Sequence, residues 1–290
     1  MKKIKSGIFG LNPLLDGGFN EKSTNVILGS PGTGKTTMAT QYIKRGLETD
    51  QISIFISLDE NQDQIIHEAT ERGWPEIQDY VKEGLLLFID ASGKEFRTFI
   101  HDELPEFVEK WLGANARIAI DPLTPVVWSA SNRYEQRELI SILMKELKKI
   151  GTIVCTLEEY ESGEDISNKE TIIPMYLADS VIRLKFAKSE DNREVERYLE
   201  IMKCRNSRHS KLLHKYNILH GFGIMIQGQD GTMTATRKIP ATLKRTLNKE
   251  NKLTKKSLAM INEYLKSLTD KDFKGLDIST VLQNILEEYS

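Results

Sequence analysis

Short apolar runs alternate along the chain with longer segments in which apolar residues recur at helical spacing. A short apolar run bounded by turn residues is typical of a strand in a parallel sheet, and the longer segments are typical of the crossover helices that join such strands. The pattern predicts an α/β fold with strands at residues 26–28, 52–58, 85–89, 118–120, 153–155 and 181–184. It predicts helices at 36–47 and 135–150, each with one apolar face for packing on the sheet.

The pattern changes after residue 184. Apolar runs at 195–203 and 224–226 are separated by turn-like residues rather than by a helix, which predicts an antiparallel extension of the mostly parallel sheet. Residues 241–256 are strongly basic, and two amphipathic helical patterns follow them. We therefore predict a core domain at residues 1–236, followed at 237–290 by a basic linker and a small C-terminal helical appendage.

The composition is typical of a globular protein. Of the 290 residues, 39% are hydrophobic and 28% are charged, as in ordinary globular proteins, and the net charge of -2 gives no general attraction to nucleic acid. No apolar run approaches the roughly 18 residues that span a bilayer, and no signal-peptide core follows the N-terminus, so we expect no membrane insertion. The two cysteines, Cys155 and Cys204, form no C-x-x-C pair, which favours a reducing, cytoplasmic location.

One segment carries a specific chemical motif. Residues 29–36 match the phosphate-loop pattern G-x-x-x-x-G-K-[ST], directly after a predicted strand and at the start of a predicted helix. The backbone N–H groups of such a loop surround the phosphates of ATP at a helix N-terminus, where the helix dipole favours anions. Lys35 would reach the β- and γ-phosphates, Thr36 would bind Mg²⁺ and Thr37 would meet the α-phosphate. The rest of the loop consists of Gly29, Ser30, Pro31, Gly32, Thr33 and Gly34.

Polar residues at the ends of other predicted strands would complete a site for ATP hydrolysis. Asp121 ends an apolar strand and is the candidate for the other Mg²⁺ ligand. Asp59 and Glu60 end the strand that follows the phosphate-loop helix. Glu60 is the candidate general base and Asp59 an auxiliary acid, because a carboxylate one water away from the γ-phosphate can accept the proton of that water. Acidic residues at a helix N-terminus are the alternative interpretation of this pair. Thr156, at a further strand end, is a candidate sensor of the γ-phosphate.

The sequence also resembles a family. The runs S-G-I-F-G-L-N at residues 6–12 and L-D-G-G-F at 15–19 precede the phosphate loop. They resemble the opening of KaiC-like and RadA-like ATPases, which carry a G-I-x-G-L-D motif at this place. Residues 59 and 60 fall where KaiC has paired catalytic glutamates, and the first of the pair is Asp here. The resemblance covers roughly residues 4–230 and implies a RecA-like phosphate-loop fold that binds and hydrolyses ATP.

A further part of the resemblance is the run K-C-R-N-S-R-H, which is similar to the KaiC signature K-x-R-G-x-x-H. In the family, the Lys, Arg and His of this signature approach the nucleotide of a neighbouring subunit. The resemblance therefore implies a homo-oligomer, a hexameric ring, in which Lys203, Arg205 and His209 face the next subunit's ATP. Asn206 stands in place of the Gly, and Asn adopts left-handed backbone less freely than Gly does. A solvated basic loop is the interpretation that these residues would receive without the family.

These patterns favour a ring-forming ATPase with slow turnover that acts as a nucleotide-dependent regulator or switch. A RadA-like accessory of DNA recombination or repair is one alternative, although the chain begins almost at the ATPase core, its net charge is slightly negative and residues 129–137 are not a basic glycine-rich loop. The basic segment 241–256 keeps nucleic acid open as a partner. A second alternative is an ATP-binding scaffold without hydrolysis, resembling the archaellum accessory protein FlaH. Autokinase activity is not expected from a chain with a single phosphate loop.

Overall fold

The computed structural model of the protein describes residues 2–91, 96–159, 171–188, 194–227, 239–250, 252–270, 272–273 and 275–289. The strands in these ranges are β1 (Lys3–Ile4), β2 (Phe19–Asn20), β3 (Thr24–Gly29), β4 (Ser53–Ser57), β5 (Leu86–Asp90), β6 (Ala116–Asp121), β7 (Gly151–Glu158), β8 (Ser180–Lys188), β9 (Val195–Cys204), β10 (Leu213–Leu219) and β11 (Gly223–Ile226).

The helices in the same ranges are α1 (Leu11–Leu14), α2 (Lys35–Leu47), α3 (Gln62–Glu71), α4 (Ile77–Lys82), α5 (Phe96–Thr98), α6 (Leu104–Lys110), α7 (Thr124–Ser129), α8 (Arg133–Ile150), α9 (Ile172–Leu177), α10 (Ile239–Leu247), α11 (Lys255–Ser267) and α12 (Ile278–Tyr289). A π-helical turn at Phe99–Glu103 joins α5 to α6. Within the described ranges, no helix combines the length and the apolar character that crossing a membrane requires.

Strands β3 to β11 form one sheet, whose order in the described residues is β11-β10-β9-β8-β3-β7-β6-β4-β5. The strands from β8 to β5 in this order are parallel to one another, and β9, β10 and β11 continue the sheet in antiparallel fashion. Strand β3 lies between β7 and β8, at the centre of this strand order. The predicted α/β fold, a mostly parallel sheet with a late antiparallel extension, is confirmed.

Side chains of the central strands alternate between two apolar layers. Ile27 and Phe55 belong to the layer on the α2 face of the sheet, whereas Val26, Leu28 and Ile54 belong to the layer under α8. Both faces of β3 and β4 are therefore covered by helices, as is usual for parallel sheets. This double burial is the reason why these strands consist of continuous apolar runs and are easily predicted.

The apolar pattern does not predict β10. The polar residues His214, Lys215 and Asn217 interrupt its apolar ones without a regular alternation. The strand nevertheless pairs with β9 on one side and with β11 on the other. A strand near the edge of the sheet needs only one apolar face, so its sequence carries a weaker signal than that of a central strand.

The C-terminal helices pack on the α2 face of the sheet. Leu247, Ile261 and Ile285, one from each of α10, α11 and α12, are buried in the same apolar layer as Ile27. Helix α10 lies within the segment expected to be a basic linker, and it keeps its charged side chains exposed while burying its leucines. The expected boundary at residue 236 lies outside the described residues, so the division of the chain there stays a prediction.

Candidate functional site

The phosphate loop connects the end of β3 to the start of α2. Gly32 and Gly34 have φ angles of 78° and 97°, in the left-handed region that favours glycine. A Cβ built on Gly34 would lie 2.8 Å from Ile218 Cδ1, so a side chain there would have to displace the end of Ile218 in addition to adopting a strained backbone conformation. Pro31 and Gly32 are exposed. The loop therefore has an accessible, glycine-dependent backbone.

Hydrogen bonds hold the shape of the loop. Thr33 Oγ1 donates to the carbonyl oxygen of Ser30 at 2.7 Å, and Lys35 Nζ donates to the same oxygen at 3.2 Å. The Tyr216 hydroxyl donates to the Thr33 carbonyl at 2.5 Å. No sequence signal marks Tyr216, because it belongs to β10. Burial lowers the pKa of Lys35, and the nearby carboxylate of Glu158 opposes that shift.

Asp121, Thr36 and Thr156 meet beside the loop. Asp121 ends β6 and is 6% exposed, and the Thr156 hydroxyl donates a hydrogen bond to its carboxylate. Burial raises the pKa of Asp121, whereas hydrogen bonds from Thr156 and Thr36 lower it. The side-chain oxygens of Thr36 and Asp121 are thus neighbours, and oxygen ligands of this kind suit Mg²⁺. Thr156, the candidate phosphate sensor, holds the Asp121 carboxylate in this arrangement.

The acidic pair after β4 consists of one exposed and one half-buried residue. Asp59 is exposed, whereas the Oε2 atom of Glu60 is buried and has no hydrogen-bond partner among the described residues. Burial raises the pKa of Glu60, and the carboxylates of Glu68 and Asp121 raise it further. Glu68, on α3, is a neighbour that sequence analysis missed. A carboxyl group with a raised pKa beside other acids is a frequent feature of functional sites.

Neither acid caps the helix that follows. Asn61 is the N-cap of α3: its side chain accepts a hydrogen bond from the Gln64 N–H at 3.0 Å, and the Gln64 side chain accepts one from the Asn61 N–H at 3.1 Å. Asp59 and Glu60 precede this capping box. The two acids therefore do not cap α3, although they lie next to its N-terminus, where the helix dipole favours negative charge.

Buried polar atoms test whether the residues present fit a nucleotide. Thr37 Oγ1 is buried and lacks a hydrogen-bond partner within the described ranges. A buried hydroxyl without a partner is unfavourable, and an oxygen of a ligand would satisfy it. Thr37 directly follows Thr36, at the place where the α-phosphate is expected. The glycine-dependent loop, the neighbouring oxygens of Thr36 and Asp121 and the unpartnered hydroxyl of Thr37 together fit ATP and Mg²⁺.

A buried ion pair lies next to the loop. Arg183, on β8, contacts the Glu159 carboxylate through Nη2 at 2.6 Å and through Nε at 3.1 Å. The Glu159 N–H donates to the Gly29 carbonyl at 3.1 Å. This bidentate pair therefore joins β7 and β8 to the first residue of the loop. Neither residue belongs to a motif, so the sequence alone does not predict this pair.

Arg197, at the start of β9, faces the phosphate loop of its own chain. Its Nε and Nη2 atoms each lie 3.4 Å from the Gly32 carbonyl oxygen. Its guanidinium group is 5.3 Å from the centre of the Phe186 ring. No sequence motif includes Arg197, whereas Lys203, the other basic residue of β9, belongs to the family signature. Arg197 is nevertheless the cation that this strand places at the loop.

Lys203 and Arg205 lie at the other end of β9. Lys203 Nζ donates to the carbonyl oxygens of Met175 and Tyr176 at 2.9 Å and to that of Ala178 at 2.6 Å. Arg205 Nη2 donates to the Tyr176 carbonyl at 3.1 Å. Both cations therefore bind the carbonyl groups at the C-terminal end of α9, where the helix dipole favours positive charge.

The strand register separates these cations from the loop of their own chain. Lys203 pairs with Val181, and Val181 pairs with Val26, which precedes Gly29 by three residues. A strand rises about 3.3 Å per residue, so the sheet position of Lys203 is displaced along the strand direction by roughly 10 Å from Gly29, the first residue of the loop. Lys203 and Arg205 are not brought together with the phosphate loop of the same chain.

The turn after β9 contains Asn206 and His209. Asn206 has a φ angle of 58°, in the left-handed region. Asn therefore adopts here the left-handed backbone conformation that a glycine adopts readily. His209 is half-buried, and its Nδ1 atom lies 2.9 Å from the Ser210 carbonyl oxygen.

Known proteins share this architecture. The family model described as "ATPase: KaiC" matches residues 4–231. A UPF0273 protein of Pyrococcus furiosus is 28% identical over 232 residues, which are 75% of this chain and 91% of that protein. The circadian clock oscillator protein KaiC of Prochlorococcus marinus subsp. pastoris is 28% identical over 222 residues, which are 73% of this chain and 42% of that protein.

A solved structure agrees with these matches. The crystal structure of a KaiC-like protein from Pyrococcus horikoshii has a TM-score of 0.65 to this chain at 28% sequence identity, and the match covers 78% of this chain and 99% of that one. The family model spans the strands and helices that surround the phosphate loop, and it ends before α10. The chain therefore belongs to the KaiC family of RecA-like phosphate-loop ATPases.

Proposed function

We propose that this protein binds ATP with Mg²⁺, hydrolyses it slowly and acts as a ring-forming, nucleotide-dependent regulator. The observation that carries the proposal is the convergence of Thr36, Asp121 and Thr156 beside the phosphate loop, with Glu60 electrostatically coupled to Asp121. The cysteines Cys155 and Cys204 are both unpaired in the described part of the chain, which supports a cytoplasmic location.

Each step of the proposed ATP binding and hydrolysis is assigned to a specific group of the site. Thr36 and Asp121 would hold Mg²⁺, which when bound neutralises charge on the β- and γ-phosphates. Lys35 would exchange its bond to the loop for the terminal phosphates, and the backbone N–H groups of the loop would bind the remaining phosphate oxygens. Glu60 would accept the proton of the attacking water through its carboxylate.

Lys203 and Arg205 are proposed to act on the ATP of a neighbouring subunit, with His209 in the same turn. Their distance from the loop of their own chain supports this proposal, because within one subunit they have carbonyl groups rather than phosphates as partners. A phosphate carries full negative charge and binds a cation more strongly than a carbonyl does. Assembly of a hexameric ring would therefore supply better partners for both side chains.

The alternatives predict different outcomes in one experiment. Size-exclusion chromatography with light scattering, with and without ATP and Mg²⁺, would measure assembly, and phosphate release would measure turnover. We expect ATP-dependent assembly and slow phosphate release that single-stranded DNA does not change. Stimulation by DNA would favour a recombination accessory, and tight ATP binding without phosphate release would favour a scaffold.

Glu60→Gln is expected to retain ATP binding and to lose about 10²- to 10⁴-fold in turnover, because the amide keeps the shape of the side chain but accepts no proton. Asp59→Asn provides the matched control: it makes the same chemical change at the adjacent, exposed position and should have a smaller effect. Phosphate release and nucleotide titration measure the two properties separately. A larger loss in Asp59→Asn than in Glu60→Gln would reverse the assignment of the base.

The pH dependence of hydrolysis is expected to reflect the raised pKa of Glu60. Burial and the adjacent carboxylates favour the protonated form, so the ionised base is lost at a higher pH than for an ordinary glutamate. Turnover should therefore fall as the pH is lowered through this raised pKa, while ATP binding persists. The residual activity of Glu60→Gln should lack the same acid limb. An identical acid limb in both proteins would assign it to another group.

A further inference from the structure

A buried carboxylate connects the C-terminal helix to the phosphate-loop helix. Glu288, near the end of α12, is 1% exposed. Its Oε1 atom accepts hydrogen bonds from the Gly7 N–H at 3.1 Å and from Arg45 Nε at 3.0 Å, and its Oε2 atom accepts one from the Asn12 side chain. Arg45 Nη2 also donates to the Glu288 carbonyl at 2.7 Å. Glu288 is thus fully enclosed by donors from the N-terminal segment and from α2.

Asn12 is suited to this contact in a way that an acid would not be. Its Nδ2 group donates to Glu288, while its Oδ1 atom accepts a hydrogen bond from the Ser6 N–H at 2.8 Å. Asn12 occupies the last position of the G-I-x-G-L-D motif, where the motif has Asp. A carboxyl group at this position would lie directly against that of Glu288, whose pKa burial already raises to about 7, and two such groups at this distance cannot both ionise without strong repulsion. The amide therefore allows a chain with Glu288 to dock α12 here.

Helix α2 connects the Glu288 contact to the candidate nucleotide site. Lys35 and Thr36 are in its first turn and Arg45 is in its last turn. Its 13 residues span about 20 Å. The group that binds Glu288 and the groups expected to bind phosphate thus lie at opposite ends of one rigid element.

Packing around the contact is incomplete on one side. A cavity of about 620 Å³ lies between α11 and the core and is lined by Arg45, Glu48, Met260, Tyr264 and Tyr289, among others. Close packing normally fixes a helix against its neighbours, and a cavity of this size removes part of that constraint. The cavity borders α12 at Tyr289, so the polar contacts of Glu288 have a larger share in fixing this end of the helix.

We propose that Glu288 is a positioning residue for the nucleotide site: it fixes the C-terminal end of α2 and thereby the first turn that binds phosphate. The inference rests on the proposed function, because it concerns ATP binding at that turn. Coupling between two sites is reciprocal. Docking of α12 should therefore strengthen ATP binding, and ATP should in turn protect α12 from opening.

The test exchanges the two partners. Asn12→Asp is expected to raise the dissociation constant for ATP about tenfold and to speed hydrogen exchange in α12, because it places two carboxylates in contact. Adding Glu288→Gln restores a carboxylate and an amide with their positions reversed, so the double variant should return to within about twofold of the wild type. Glu263→Gln makes the same change at an exposed position on α11, where the carboxylate contacts Lys266 of the same helix, and should leave ATP affinity unchanged.

The outcomes separate this inference from the proposed function. Wild-type protein that fails to bind ATP would overturn both. If the wild type binds ATP and Asn12→Asp speeds hydrogen exchange in α12 without changing ATP affinity, Glu288 is only structural and the positioning role is wrong. Should Asn12→Asp not fold, Glu288→Gln alone decides, since it removes the ionic contact with Arg45 and must weaken ATP binding severalfold. Unchanged ATP affinity in that variant also overturns the inference.

Discussion

Lys35→Ala is expected to abolish measurable ATP binding. Lys35 is the cation of the phosphate loop, and its side chain already lies against the loop through the Ser30 carbonyl. Its pKa is lowered by burial, yet the carboxylates of Glu158 and Asp121 favour the charged form. Removing a charged partner of the terminal phosphates costs about 3 kcal/mol or more, which corresponds to a loss of affinity of at least about hundredfold. Titration with a fluorescent ATP analogue would measure the loss.

The control for this prediction is Lys82→Ala, at an exposed position on α4 whose side chain contacts Asp79 rather than the loop. It removes the same charge from the protein and should leave ATP affinity unchanged. Thermal unfolding of both variants would establish that the fold persists. ATP affinity of Lys35→Ala equal to that of the wild type would contradict the assignment of residues 29–36 as the nucleotide site.

Arg205→Ala is expected to leave ATP binding nearly intact and to reduce turnover on the order of 10³-fold or more. Arg205 follows β9 at the end that is remote from the loop of its own chain, and it is exposed. An arginine inserted into a neighbouring site spreads its charge over phosphate oxygens and stabilises the transition state by this order of magnitude. Arg208→Ala, an exposed arginine three residues further along the same turn, is the matched control and should retain activity.

Mixing of variants tests whether the arginine acts in trans. Arg205→Ala subunits have an intact Glu60, and Glu60→Gln subunits have an intact Arg205. In a mixed ring, an intact arginine therefore faces an intact base at some of the interfaces, and phosphate release should recover there. If mixtures exchange subunits but phosphate release does not recover, Lys203 and Arg205 do not act in trans and are residues of a solvated basic loop.

The sequence predicted those parts of the site whose signal is local. The phosphate loop is a contiguous motif, and Asp121 stands at the end of an apolar strand, so both are recognisable without knowledge of the fold. Thr36, Asp121 and Thr156 come from three segments, yet the order of parallel strands brings them to one edge of the sheet. Their proximity could therefore be expected as soon as the strands were assigned.

Other contributors have no local signal. Tyr216 contacts the loop from β10, a strand that the apolar pattern does not predict because polar residues interrupt it. Arg183 contacts Glu159 because β8 and β7 lie on the two sides of β3. Glu288 contacts Gly7 across 281 positions of the chain. Contacts of this kind depend on the tertiary fold, and periodicity or spacing in one sequence does not specify them.

The left-handed turn at Asn206 has a consequence for how relatives of this protein are identified. A signature that demands Gly at the fourth position of K-x-R-G-x-x-H specifies a residue type, and Gly is the residue that adopts a positive φ angle most freely. In this chain Asn206 adopts a positive φ angle at the corresponding position. Asn and Asp are the residues other than Gly that adopt this conformation most readily. A pattern that accepts Gly, Asn or Asp at that position would therefore retain chains such as this one, which a strict sequence pattern discards.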